Sequence, residues 1–119
     1  MEKLGTFKDC TKEAISKWKE TNSGLKHITI PLDDSDLTGQ GETAQFVICK
    51  PNKGVMSALG EYGKEKELDK INDLFLGSCV LGGDMKYIKG DNPDTQIITT
   101  VIEEIVDLMK KKRVISKNL

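Results

Sequence analysis

The acidic residues after the first predicted strand have a spacing that could bind calcium. Asp34, Asp36 and Thr38 match the first, third and fifth positions of an EF-hand loop. Gly39 follows at the sixth position, where calcium loops need a residue that allows a sharp turn. The twelfth position is Gln45 instead of a bidentate glutamate, and strands rather than helices flank the loop. The residues therefore favour an acidic hairpin turn and leave open whether this loop binds an ion.

Gly82-Gly83-Asp84 is a second motif with a chemical interpretation. Two glycines before an aspartate can form a phosphate-binding nest or hold a catalytic carboxylate on a tight turn. No lysine followed by serine or threonine comes next, so the motif is not a Walker loop. A left-handed cap at the end of one helix, followed by an aspartate as N-cap of the next helical turn, accounts for the same residues. We therefore predict a structural role for this motif.

The other candidates for catalysis lack partners in the sequence. His27 is the only histidine, and no Gly-x-Ser-x-Gly nucleophile motif accompanies it. Glu103 and Glu104 are adjacent, so their carboxylates point in different directions and cannot act as an acid–base pair. These observations predict that the protein is not an enzyme and that it uses no cofactor and no metal.

The three cysteines form no metal-binding or redox motif. Cys10, Cys49 and Cys79 are too far apart for the Cys-x-x-Cys pairs of zinc ribbons and thioredoxin-like sites. The last two stand among apolar residues, which predicts that they are small buried side chains. Unpaired thiols are typical of a reducing compartment, and the first residues show no apolar signal-peptide stretch. We therefore expect a cytoplasmic protein.

Length and composition are those of one small domain. The chain has 119 residues, of which 37% are hydrophobic, 31% charged and 5% aromatic. With 18 basic and 19 acidic residues the formal net charge is −1, so there is no overall attraction to nucleic acids or anionic membranes. The aromatic residues are too few for a base-stacking platform, and no apolar stretch approaches the roughly 18 residues of a membrane span.

The apolar periodicity predicts an α+β fold. A helix over residues 6–20 precedes two strands, which lie on either side of a polar turn at 33–42. Pro31 places the first strand at a sheet edge. A helical layer of three to four helices follows, and the last of them, at 94–110, has the strongest apolar face. Because a β-hairpin is marginal alone, we predict that it packs against this layer.

Both ends of the chain carry candidate partner-binding residues. We predict an N-terminal amphipathic helical extension, residues 1–24, and a single α+β domain, residues 25–119, with a short basic tail. Nucleic-acid binding through the basic run Lys110–Arg113 is the alternative function, although cations at a helix C-terminus also complement the helix dipole. The candidate partner-binding residues are the apolar ones of both ends: Phe7, Ile15, Trp18, Val114, Ile115 and Leu119.

Four stretches of the predicted domain resemble a known family. They are Ile-Thr-Ile-Pro-Leu-Asp-Asp-Ser-Asp at 28–36, Phe-Val-Ile-Cys-Lys-Pro-Asn-Lys-Gly-Val-Met-Ser-Ala at 46–58, Cys-Val-Leu-Gly-Gly-Asp at 79–84, and Ser-Lys-Asn-Leu at 116–119. In this order they resemble the tail-assembly-chaperone-like proteins of tailed phages and prophages, especially those of Bacteroidetes. The resemblance covers residues 25–119, and it places a hairpin before a helical half.

The resemblance implies a non-enzymatic protein of the bacterial host cytoplasm that binds tail proteins during virion assembly. The implied partner is a phage tail or tape-measure protein, and no catalytic residues carry over. Lys50-Pro51 and Gly82-Gly83-Asp84 match the family pattern as turn and cap positions. The N-terminal helix at 1–22 departs from the pattern, which leaves its role open. The open edge of the hairpin also allows self-pairing into a homo-oligomer.

Overall fold

The elements of the fold begin and end where the local sequence provides a cap or a turn. The computed structural model of the protein describes residues 5–110 and 115–118. Within these residues the helices are α1 (Lys12–Thr21), α2 (Lys53–Glu65), α3 (Leu68–Cys79) and α4 (Thr95–Leu108). The strands are β1 (Lys26–Pro31), β2 (Thr43–Ile48) and β3 (Val80–Gly83), and short 3-10 helices lie at Phe7–Asp9 and Met85–Tyr87. The fold is therefore α+β, as predicted.

Side-chain caps set the start of three helices. The sequence favours Asn52 as N-cap of α2, and Asp94 or Thr95 as N-cap of α4. Asn52 and Asp94 are confirmed, because their side chains accept from backbone N–H groups in the first turn of each helix. Thr11 does the same for α1 by accepting from the N–H of Ala14 at 3.2 Å. This cap divides the predicted helix at 6–20 into a 3-10 turn and a separate α-helix.

The sheet has three strands rather than the predicted two. β1 and β2 form the expected antiparallel hairpin, with Lys26 opposite Ile48 and Pro31 opposite Thr43. β3 pairs antiparallel with the other side of β2, so β1 lies at an edge, as Pro31 predicts. At residues 80–84 the helical apolar period stops, so the sequence predicts only a reversal of the chain there. A four-residue strand with two glycines has weak intrinsic preference for extended structure, and its pairing with β2 supplies the stabilisation that local sequence lacks.

The predicted helix cap at Gly82 and Gly83 is wrong. α3 ends at Cys79, and Val80 follows with extended backbone, at φ −96° and ψ 109°. Gly83 has a φ of +140° and lies directly against the backbone of β2. Asp84 precedes the second 3-10 helix, but its side chain makes no capping hydrogen bond there. The glycine serves a close approach between strands instead of a helix end.

The sheet has an apolar cluster on each face. On one face Ile28, Phe46 and Ile48 pack against buried residues of the three later helices: Val55, Phe75, Cys79, Ile97, Val101 and Ile105. On the other face Val47 packs with Cys10 and Trp18. Residues 5–22 therefore cover the second face of the sheet, which lies between this N-terminal layer and α2–α4.

The buried faces of the helical layer agree in part with the apolar periodicity of the sequence. Ile97, Val101 and Ile105 form a buried stripe along α4, at the spacing that predicts it. The same periodicity predicts that Met56 of α2 and Leu68 of α3 face inward, but Met56 is 46% exposed and Leu68 is 71% exposed. Leu68 is the first residue of α3, next to the turn from α2, and the buried stripe of this helix begins further along.

We expect all three thiols to resist labelling in the folded protein. Cys10, Cys49 and Cys79 are buried, which confirms the prediction for the last two. Burial, with contributions from Asp9 and Asp84, raises the pKa of the Cys10 thiol, and the thiolate is the reactive form. A disulfide reagent should therefore react slowly with the native protein and rapidly once guanidinium unfolds it. If one thiol per chain reacted rapidly with the reagent in the native protein, the result would contradict this burial.

Candidate functional site

The outer edge of β1 carries backbone groups that no other described residue pairs with. β2 occupies the inner side of β1, and no further strand lies beyond it among residues 5–110 and 115–118. Just past the strand, the N–H of Leu32 donates to the carbonyl of Glu42 at 3.0 Å. Antiparallel hydrogen bonds alternate along a strand, so Ile28 and Ile30 also bond to β2. The outward positions are therefore His27, Thr29 and Pro31.

Hydrogen bonds on the far side of β2 agree with this assignment. The N–H of Asp84 donates to the carbonyl of Gln45 at 2.9 Å, and the N–H of Cys49 donates to the carbonyl of Cys79 at 2.8 Å. Gln45 and Cys49 therefore face β3, and the alternate residues of β2 face β1. The free edge offers two N–H donors and three carbonyls, because Pro31 has no N–H.

An open groove of about 400 Å³ lies beside this edge, between the end of β1 and the first turns of α4. Ile30 and Leu32 give it apolar surface, and its lining contains three carboxylates but no basic side chain. One of these carboxylates belongs to Asp94, whose Oδ1 accepts from the first turn of α4. The edge and the groove together form a surface on which an extended peptide could lie.

His27 has a structural environment on the opposite face of the sheet. Its ring stacks on Phe7, with 4.5 Å between centroids and 10° between planes. Its Nε2 lies 2.8 Å from Oε1 of Gln45 and 3.5 Å from Oγ1 of Thr29. No carboxylate or thiol of the described residues hydrogen-bonds to this imidazole. Among the described residues, the contacts of His27 are thus a stacked ring and neutral polar side chains.

The loop that resembles a calcium site folds around Asp36. Its Oδ1 accepts from the N–H and hydroxyl of Thr38 and from the N–H of Gly39, at 2.9–3.1 Å. Its Oδ2 accepts from the N–H of Gly41 at 2.9 Å. Donors from the loop itself thus surround the carboxylate. Within the described residues, no group of three or more acidic, histidine or cysteine side chains could hold a metal ion.

We expect Asp36 to titrate below the ordinary aspartate pKa of 3.8. The N–H of Gly41, followed by the hydroxyl of Thr38, lowers this pKa by stabilising the charged form. Because the folded state holds the proton less tightly than the unfolded state, this stabilisation is present above the ordinary pKa. It is lost as the pH falls through the lowered value.

An NMR titration of the Asp36 carboxyl carbon measures this pKa directly. The free energy of unfolding should also fall less between about pH 5 and pH 3 in Asp36→Asn than in the native chain. A midpoint at or above 3.8 would contradict the expected shift.

Asp84 joins the N-terminal layer to the sheet. Its Oδ1 accepts from the N–H of Phe7 at 3.0 Å, and its Oδ2 accepts from the N–H of Gln45 at 2.9 Å. The N–H of Met85 donates in turn to the carbonyl of Gly5 at 3.1 Å. Asp84 of the Gly82-Gly83-Asp84 motif thus connects the N-terminal layer to β2 through hydrogen bonds. Sequence reasoning missed this role because the partners of Asp84 are 39 and 77 residues away.

The predicted partner-binding residues have different surroundings. Trp18 is 4% exposed, and Phe7 and Ile15 are half-buried beside it in the cluster over the sheet. These three side chains are thus brought together within the chain. Ile115 is separate from them and is 83% exposed. Val114 and Leu119 lie outside the described residues.

The basic run after α4 can be followed only in part. Lys110 forms an ion pair with Asp107 at 3.2 Å, and Lys117 lies in an exposed segment without regular structure. Residues 111–113 lie outside the described part of the chain. Nucleic-acid binding through the basic run therefore stays a prediction that the described residues do not test.

Sequence reasoning found the edge strand but not the groove beside it. Pro31 identifies the edge, because a proline is tolerated where its missing N–H is not needed. The sequence pattern favours neither a calcium-ligand role for Asp34 nor a carboxylate pair that includes Glu103. The two residues line the same groove because β1 and the start of α4 lie side by side in the fold. No local pattern could have shown that.

Comparison of the chain with models of known protein families, with curated proteins and with solved structures found no match. Among the described residues, no helix is long and apolar enough to cross a membrane.

Proposed function

We propose that the protein is a non-enzymatic assembly factor that binds an extended segment of a partner protein along the outer edge of β1. The observation that supports this is the row of unpaired backbone groups at His27, Thr29 and Pro31, next to a groove with apolar surface. A peptide that adds to a sheet edge forms backbone hydrogen bonds, and its alternate side chains enter adjacent pockets.

The resemblance of residues 25–119 to tail-assembly-chaperone-like proteins supplies the class of partner. We propose a phage tail or tape-measure protein, bound in the cytoplasm of the bacterial host. An assembly factor has to hold its partner and later release it. Pairing along a short edge suits this task, since β1 has few outward positions and Pro31 lacks a donor.

Thr29→Pro is expected to reduce partner binding by about tenfold or more, because it removes an outward N–H and obstructs the added strand. The substitution spares the hydrogen bonds to β2, which come from the neighbouring residues. Thr29→Val keeps the N–H and the branched shape, so it should bind as the native protein does. The readout is capture of tail proteins co-expressed from the same gene cluster.

A second outward position keeps this test decisive if Thr29→Pro does not fold. His27→Pro removes the other edge donor, and the fluorescence of Trp18 reports whether each variant retains its N-terminal layer. Undiminished capture by folded Thr29→Pro or His27→Pro would refute binding at this edge. Failure of the native protein to capture any tail protein would refute the proposed partner class.

A further inference from the structure

We propose that the segment bound at the β1 edge is basic, with a lysine or arginine side chain that Asp34 and Glu103 attract into the groove. This inference rests on the proposed function and adds the chemistry of the partner. It depends on the charges that line the groove and on which of them are already compensated.

The geometry places side chains of an added strand at the groove. Side chains alternate between the two faces of a strand, so about half of those on the added segment point toward the helical layer. On that side the groove runs from Ile30 and Leu32 to the first turns of α4. Glu103 is on α4, and Asp34 follows the end of β1, so both acidic groups line the path of these side chains.

The acidic residues around the groove differ in what neutralises them. Glu104 forms an ion pair with Lys26 at 2.7 Å. Asp94 accepts from the N–H groups of Gln96 and Ile97, at 3.0 and 3.3 Å. Asp34 and Glu103 are exposed and form no ion pair with another described residue.

Two uncompensated carboxylates remain beside an apolar surface with no basic side chain in its lining. Complementary charge across an interface selects partners and suppresses those of like charge. An added strand with lysine or arginine on its helix side would place positive charge beside the carboxylates of Asp34 and Glu103. An acidic strand would bring like charges together. The apolar surface of Ile30 and Leu32 favours a valine, isoleucine or leucine next to the basic residue.

Two synthetic peptides test the inference. One alternates lysine with valine and threonine, and the other is identical except that glutamate replaces each lysine. At about 50 mM salt, the native protein should bind the lysine peptide about tenfold more tightly, and the preference should shrink as salt rises. In Asp34→Asn/Glu103→Gln the preference should fall to about threefold or less.

A matched variant controls for overall charge. Asp73→Asn/Glu61→Gln also removes one aspartate and one glutamate, from exposed positions outside the groove, and should retain the native preference. Equal binding of the two peptides to the native protein would overturn the inference. If Thr29→Pro still abolished that binding, the proposed edge function would stand without the charge preference.

Three further outcomes would overturn parts of the proposal. An unchanged preference in Asp34→Asn/Glu103→Gln would overturn the role of these two residues. Absence of binding by both peptides would overturn strand addition itself. A native mass in solution that is a multiple of the chain mass, and that Thr29→Pro reduces to one chain, would assign the edge to a second copy of this protein instead.

Discussion

Gly83→Ala should destabilise the protein by about 3–5 kcal/mol, because a methyl group at this position has no space and an unfavourable backbone. An added Cβ would lie 2.6 Å from Cα of Phe46 and 2.8 Å from its Cδ1, and would also collide with the carbonyl oxygen of Gln45. Two of these neighbours are backbone atoms of β2, which cannot move without breaking the sheet. The φ of +140° adds strain that any L-residue would carry.

Urea denaturation followed by circular dichroism measures this loss. Gly77→Ala is the matched control, since Gly77 lies within α3 and an added Cβ there meets nothing within 4 Å. Alanine in a helix is favoured over glycine, so the control should gain about 0.5–1 kcal/mol. A Gly83→Ala variant as stable as the native protein would show that β3 does not approach β2 as closely as the structure places it.

Asp84→Ala should cost about 3 kcal/mol, a large part of the 5–15 kcal/mol that typically stabilises a small domain. The carboxylate accepts one hydrogen bond from Phe7 and one from Gln45, and alanine leaves both N–H groups without an acceptor. Hydrogen bonds to a charged group contribute more than neutral ones, and these lie in a partly buried junction. Asp84→Asn should lose less, since its amide oxygen can still accept one of the two bonds.

The fluorescence of Trp18 reports whether loss of the Asp84 hydrogen bonds detaches the N-terminal layer. It is the only tryptophan of the chain and packs on Val47, so its emission reports whether residues 5–22 remain on the sheet. In Asp84→Ala the emission should shift toward that of exposed tryptophan at lower urea than circular dichroism changes. Asp91→Ala, at an exposed loop position, should leave both transitions unchanged. Native-like transitions in Asp84→Ala would refute its role as a junction.

Gly83→Ala and Asp84→Ala change residues on the β3 side of β2, whereas the proposed binding edge is on the β1 side. Gly83 and Asp84 lie at the end of β3, whereas the partner is expected at β1. Loss of stability at β3 and loss of binding at Thr29 are therefore separable effects. Thr29→Pro should reduce binding in a protein whose Trp18 emission is native, and Asp84→Asn should affect stability first.

The sequence by itself determined the elements whose interactions are local. Asn52 and Asp94 cap helices through bonds to residues two or three positions later, and the stripe Ile97, Val101 and Ile105 repeats every four residues. The hairpin was also predictable, because alternation of apolar residues and Pro31 identify an edge strand. In each case the stabilising contact and the pattern that predicts it lie in the same short stretch.

Only the tertiary structure decided the third strand, the role of Asp84 and the position of the N-terminal helix. Val80–Gly83 is extended because β2 has an open side to pair with, and Asp84 is a junction because Phe7 and Gln45 are brought to it. The groove likewise combines Asp34 with Glu103, far apart in the chain. Residues far apart in the chain thus line one groove, because long-range packing decides which side chains meet.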